Sequence, residues 1–236
     1  MFARFAYAPN RLGYCGPTET SALRAGSDET VRAAARRFTG AWPYLRVMSR
    51  MTGIADPLDH RLVGAYWLGG GIGADLDPAE FVTELLAVIG PAAGNYWQYL
   101  DDDALAVEAA ANHCFHVFGI YPWTRLLGRG GDQPIRVLDS CRISWGTVAA
   151  RRGDDLTVLR RRLRFDGSRL SLGAAEPVPV PVRDDDGFSA VPDAAPGQLV
   201  ALHWDSLCGR LTLAEARTLA ATTARQLRVT NRRLAG

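Results

Sequence analysis

No lysine occurs in the 236-residue chain; all 27 basic side chains are arginine, balanced by 25 acids to a formal charge of +2. The arginines are interspersed with acids except in the short run "LRRRLR" at 159–164, so the concentrated basic face of a nucleic-acid binder is missing. Also missing is any run of roughly 18 apolar residues that would span a bilayer. The opening "MFARFAYAPN" lacks the long apolar segment of a secretory signal, and a cytoplasmic location is expected. Cysteine is sparse. Cys15, Cys114, Cys141 and Cys208 are widely spaced with no C-x-x-C pair, which excludes a disulfide scaffold or zinc ribbon and predicts free thiols. The glycine-rich stretches "LGGGIG" and "GRGG" have neither the spacing nor the trailing lysine of a phosphate loop and read as ordinary loops.

What the chain does contain is the composition of a packed globule, with 47 % hydrophobic residues and room for one large or two small domains. The first half reads as helical. Ser27 opens a helix in "SDETVRAAARRF", and Gly40 with Pro43 interrupts before "YLRVMSRMTG" resumes the pattern. In "DPLDHRLVGAYWLGGG" Asp56 caps and Pro57 takes the first position; in "LDPAEFVTELLAVIGP" Asp77 caps, with Pro78 next and Glu80 behind. A fifth helix runs through "DDDALAVEAAANHCFHVFG" with its acids at the favourable end. After Gly119 the texture changes to short β-type runs: "IRVLDS", "RISWGTVAA", "LTVLRRRLRF", "RLSLG", "EPVPVPV" and "QLVALHW". The prolines make "EPVPVPV" an edge strand or an extended segment. A capping box of Thr212 and Glu215 starts a final helix expected over 213–228 and packed on the β-structure, its stripe running Leu213, Ala216, Leu219, Ala220, Thr223 and Leu227. The expected fold is α+β, with a helical domain over 1–131 and a β-barrel with a C-terminal helix over 132–236.

Two groups of side chains carry chemistry. Cys141 stands alone directly in front of a strand-like run, where a rigid frame presents a polarizable thiol; thiolate and imidazole together suit iron, nickel or zinc. In "NHCFHVF", His113 and His116 lie three apart on one helical face, a chelating spacing, while Cys114 points elsewhere. Cys15 in "LGYCGP" is a candidate third ligand, and Asn112 or Asp59 a candidate orienting group. The competing reading makes both histidines satisfied core residues. His60, beside an acid at a helix start, reads as a surface side chain. Aromatics crowd the first half: Trp42, Tyr44, Tyr66, Trp67, Tyr96, Trp97, Tyr121 and Trp123. Of these, Trp42 and Tyr44 in "AWPYL" and Tyr121 and Trp123 in "YPW" are candidates to line a partner groove.

The order of Cys141, "RISWGTV", hairpins, "PGQLVALHWDSLCGRLTLAEARTLA" and a helix is similar to the small hydrogenase maturation chaperones of the HypC type, over roughly residues 139–228. The resemblance implies a small OB-like barrel opened by Cys141 and closed by "PGQLVALH", with His203 as the second functional residue and the pair together at one barrel end. It implies an accessory or chaperone role in nickel–iron hydrogenase metallocentre assembly rather than catalysis. The partner would be a large-subunit precursor or a maturation scaffold, and an iron centre would be the transferred group. This sequence departs from the pattern in two places: Cys141 lies in mid-chain, without a free amine, and Asp205 stands where a small residue follows the histidine. With "RFAYAPNRLGYCGP", "DPLDHRLVGAYW" and "NHCFHVFGIYPW" included, the whole chain resembles a bacterial family of unknown function associated with hydrogenase gene clusters. The alternatives are a metal- or cysteine-dependent enzyme with its site between the domains around His113, His116 and Cys15, and a metal-free interaction module.

Overall fold

The computed structural model describes residues 1–17, 20–90, 102–129 and 131–235; Tyr96 and Trp97 lie outside them. The capping grammar of the first half is largely realised. Ser27 accepts the Thr30 N–H at the start of α3 (Asp28–Ala35), and Asp77 accepts from Glu80 N at the start of α6 (Pro78–Ile89). They share the helical layer with α1 (Phe2–Arg11), α2 (Ser21–Ala25), α4 (Ala41–Thr52) and α5 (His60–Leu68). Two starts differ from expectation. Asp59, not Asp56, caps α5, because Asp56 is engaged with Leu58 N in a local turn. Pro43 lies inside the first turn of α4, where its missing N–H has no helical acceptor to lose.

The expected fifth helix is broken. α7 (Asp102–Glu108) stops, and a new short helix α8 (His113–Phe115) begins after Asn112, whose side chain accepts the Phe115 N–H. The break is stabilised from outside, since Arg225 donates to the carbonyls of Glu108 (3.1 Å) and Ala109 (3.1 Å), satisfying acceptors that a helix end leaves open. From His116 the chain winds as a π-helical turn to Ile120, with Tyr121 N bonded to His116 O at 2.9 Å. "IRVLDS" also departs from expectation: it belongs to α9 (Gln133–Cys141), where Pro134 sits in the first turn.

The β-structure has strand order β3-β2-β1-β4-β5, built from β1 (Ser144–Arg152), β2 (Asp155–Phe165), β3 (Leu170–Pro181), β4 (Leu199–His203) and β5 (Ser206–Arg210). All pairings are antiparallel. The sheet is open and not the expected barrel. Pro177, Pro179 and Pro181 share one parity on β3 opposite Leu159, Thr157 and Asp155. Having no N–H, they strip donors from the outer edge of the strand, and no further strand can close onto it there. "RLSLG" and "EPVPVPV" are one continuous edge strand.

β4 is buried on both faces, and its two-residue period divides the core. Val200 and Leu202 join Val148, Leu156, Val158 and Val180 in a valine-rich cluster. Ala201 faces the other way, into a large core shared with Phe5, Tyr66, Trp67 and Phe115 of the helical layer; His203 has the same parity. The last helix, α10 (Leu213–Ala235), is longer than expected and keeps its Thr212–Glu215 capping box. Its buried stripe includes Ala216, Leu219, Thr223, Gln226, Leu227 and Thr230, while Leu213 is exposed. It packs chiefly on α5, α7 and α8 rather than on the sheet. Buried Glu108 ties it down, accepting from Gln226 (3.1 Å) and Thr230 (2.8 Å) and pairing with Arg233.

A second ion network lies at the end of β1, β2 and β4. Arg142 and Arg160 are 1 % and 2 % exposed. Asp139 pairs with Arg142 (2.7 Å) and Arg160 (3.5 Å) and accepts the Leu163 N–H (2.8 Å), while Arg160 also meets Asp205 (2.7 Å). Removing one partner from such a network strands a desolvated charge. Asp139→Ala should lower the unfolding free energy by about 3–5 kcal/mol, measured by urea denaturation. A loss no larger than that of an exposed ion pair would show that the two guanidinium groups find other partners.

Candidate functional site

The two groups singled out in the sequence meet in one place. One ligand atom each from His113, Cys141 and His203 lies within 4.8 Å of the others, and all three residues are buried. Cys15, His116, Tyr66 and Tyr121 line the same void. Its volume of about 20 Å³ is the room of one water molecule or one ion.

Each member arrives from a different element. Cys141 is the last residue of α9, not the first of a strand, and His203 ends β4. Antiparallel pairing of Ser144 with Leu202 brings these two ends side by side, and Trp204 N bonds to Ser140 O at 2.8 Å. The expected proximity of Cys141 and His203 is therefore present, but between the end of α9 and the end of β4 in an open sheet. His113 enters from the helical layer because the break after α7 and the cap at Asn112 aim the first residue of α8 at the sheet. His116, one turn on, stacks beside it with ring centroids 5.8 Å apart. Gly40 permits this, since a Cβ there would stand 3.1 Å from His116 Nε2.

The hydrogen bonds define the imidazole states. His203 Nδ1 donates to the Phe5 carbonyl at 2.6 Å. That carbonyl is free because the residue four positions on in α1 is Pro9, which has no N–H to return the helical bond. His203 Nε2 is then a buried lone pair with no hydrogen-bond partner among the described residues. His113 Nε2 donates to the Cys141 carbonyl (2.8 Å), and its Nδ1 faces the Tyr66 hydroxyl (3.1 Å). His116 Nδ1 is buried and unpartnered among the described residues.

Burial keeps the rings neutral. It takes His203 down to about 4 against the opposing pull of the Phe5 and Cys141 carbonyls, and His116 to about 4 with the help of neighbouring His203. His113 falls well below the imidazole range, through burial first and then His203 and His116. Burial raises the Cys141 thiol far above its ordinary value, with Cys15 adding to the effect and the Trp204 indole opposing it. Cys15, half-buried, is pushed up to about 12 by desolvation. Without a cation all these groups are uncharged, so the thiols are poor nucleophiles as they stand.

The β4–β5 turn braces the site. Trp204 and Asp205 both take left-handed backbone, φ 51° and 58°, the conformation a two-residue hairpin turn demands and side chains resist. Trp204 stacks on Tyr14 at 3.9 Å, next to Cys15, and Asp205 holds Arg160.

Other candidates fall elsewhere. Cys114 faces Thr223 (3.7 Å) in a separate core cluster, and Trp123 packs against that cluster. Asp59 is paired with Arg61 (2.9 Å) and His60 is exposed on the surface. Trp42, Tyr44 and Tyr121 line an open cleft of about 580 Å³ that shares Cys15, Gly40, His116 and Tyr121 with the buried void. Pro9 and Trp204 were missed in the sequence. A proline within a helical segment signals a freed carbonyl, but which side chain takes it depends on the fold.

Pro9→Ala restores the N–H that completes the helical bond to the Phe5 carbonyl. Imidazole ¹⁵N shifts at neutral pH should then move from a pure Nδ1–H tautomer at His203 to a mixture. Unchanged shifts would show that another group sets the ring.

Comparison with curated proteins finds no match, and comparison with solved structures finds none either. A family model does match, over residues 1–236. The chain belongs to the family described as a family of unknown function, DUF6390.

Proposed function

We propose that the protein holds a single transition-metal ion between the helical layer and the sheet, through His113, Cys141 and His203. The observation that carries this reading is the approach of three potential ligand atoms to within 4.8 Å. Tetrahedral bonds of about 2.0–2.3 Å place ligand atoms about 3.5 Å apart, so small side-chain rotations suffice. Two imidazoles and a thiolate suit iron, nickel, copper or zinc. His203 Nε2 offers its lone pair directly, His113 offers Nδ1 once the Tyr66 hydroxyl turns away, and the Phe5 carbonyl orients His203 as outer-sphere acceptors orient metal-bound histidines. Such an ion supplies Lewis acidity or a redox couple to whatever reaches its remaining coordination position.

The site and the adjoining cleft favour a metal-dependent enzyme as the role. The second reading is the accessory role in nickel–iron hydrogenase assembly, with a large-subunit precursor or maturation scaffold as partner. The meeting of Cys141 and His203 favours it, because the HypC-type pattern pairs these two residues. Their exposures, 8 % and 1 %, weigh against it, since handing an ion to a partner requires an exposed pair or an opening of the layers.

Purified protein should carry about one metal equivalent per chain, measured by elemental analysis across the first-row metals. Cys141→Ala and His203→Ala should each reduce it to a small fraction, while His116→Ala, outside the triad, should retain most of it. Equal content in wild type and both triad variants would return these residues to the core. A thiol raised by burial must lose its proton on binding, so affinity should climb about tenfold per pH unit across the neutral range, with about one proton released per ion. Calorimetry in buffers of different ionisation enthalpy measures that proton. Dialysis against apo hydrogenase large subunit separates the two roles: retained metal supports the enzyme, transfer supports the assembly factor.

A further inference from the structure

The 580 Å³ cleft is within the roughly 300–1,000 Å³ of small-molecule sites, and its charge is one-sided. Arg36 and Arg37 at the end of α3 and Arg46 on α4 line it, and no acidic residue does among the described residues. All three are exposed and carry no ion pair among the described residues. Arg32, on the same helix as Arg36, shows the contrast, being held by Asp28 at 2.6 Å and Asp56 at 2.8 Å. Beyond the arginines the cleft becomes apolar, with Trp42 and Ile120 among its lining residues. Two polar groups there lack partners among the described residues. One is the hydroxyl of Tyr44, which is 1 % exposed; the other is Nδ1 of His116, on the wall between cleft and buried void.

We infer that this cleft binds a small organic oxyanion, a carboxylate or phosphate on a flat apolar body, with the anion at Arg36, Arg37 and Arg46 and the body extending toward Tyr44 and His116. Unpaired guanidinium groups are shaped for carboxylate and phosphate oxygens, and the aromatic wall accepts the body by stacking. The concave shape, with no acid among the described lining residues, fits a small anion better than a protein surface. The reading deepens the metal-site proposal by naming the substrate class that would reach the ion through the His116 wall, and only that last step rests on it.

The test titrates phenyl phosphate and benzoate, with benzamide as the neutral control, into the full chain while tryptophan fluorescence and calorimetry are recorded. Both anions should bind, benzamide at least about tenfold more weakly, with affinity for the anions falling as salt rises. The triple variant Arg36→Ala, Arg37→Ala, Arg46→Ala, in which all three positions are exposed, should lose at least about tenfold for the anions and little for benzamide. Equal binding of anion and benzamide, or wild-type anion binding by the triple variant, overturns the proposal. Repeating the titration on metal-depleted protein and on His203→Ala separates the two claims. Anion binding that persists without metal upholds the cleft even if the metal site fails, whereas failure in the metal-loaded protein sinks the cleft alone.

Discussion

The Arg160 guanidinium is the constraint on which the site depends. It reaches Asp139, two residues before Cys141, and Asp205, two residues after His203, while its NH1 donates to Ser144 (3.2 Å) at the start of β1. One buried cation thereby pins the end of α9, the head of β1 and the β4–β5 turn. Its Nε has no hydrogen-bond partner among the described residues, so the network is bound by charge more than by complete hydrogen bonding. Such an arrangement contributes little net stability against a well-packed apolar alternative. What it contributes is position: the thiol and the imidazole cannot separate without breaking it.

The helical side uses a different device. Histidines three apart on an uninterrupted helix would face wherever that helix faced. Here the chain breaks before them and widens into a π-turn after them, the break held by Arg225 from α10 and the π-turn by the Tyr121–His116 bond. Breaks and π-turns cost helical hydrogen bonds and tend to occur where a side chain must be re-aimed. His113 accordingly points into the sheet, its donor tied to the Cys141 carbonyl, while His116 forms the wall toward the cleft. The same economy operates at Pro9, where a hydrogen bond lost to α1 becomes the bond that orients His203.

Burial then sets the chemistry. Taken out of water, three imidazoles lose their affinity for protons and a thiol keeps its own. The result is a small void lined by neutral donors beside a larger cleft lined by cations that have no ion pair among the described residues. The two differ in what they attract, a soft cation in one and an oxyanion in the other, and the half-buried Cys15, His116 and Tyr121 are common to both.

Local features of the sequence were enough to place most of the helices, the edge strand and the last capping box, because Ser27, Asp77, Thr212 and the 177–181 prolines act on their immediate neighbours. They also singled out Cys15, His113, His116, Cys141 and His203, since imidazole and thiolate are the soft-metal ligands and the chain has four histidines and four cysteines. Three outcomes were decided by distant contacts. "IRVLDS" became helix with Asp139 placed to meet Arg142 at the end of α9 and Arg160 on β2, and the barrel stayed open because the proline edge offers no donors. The two candidate groups became one site because β1–β4 pairing and the broken helix carry Cys15 and His203, 188 positions apart, into a single void. Spacing along a chain encodes periodicity and caps, which are interactions over a few residues. Which carbonyl receives an imidazole, and which aspartates share a buried guanidinium, depends on desolvation and charge pairing that exist only once the layers have packed.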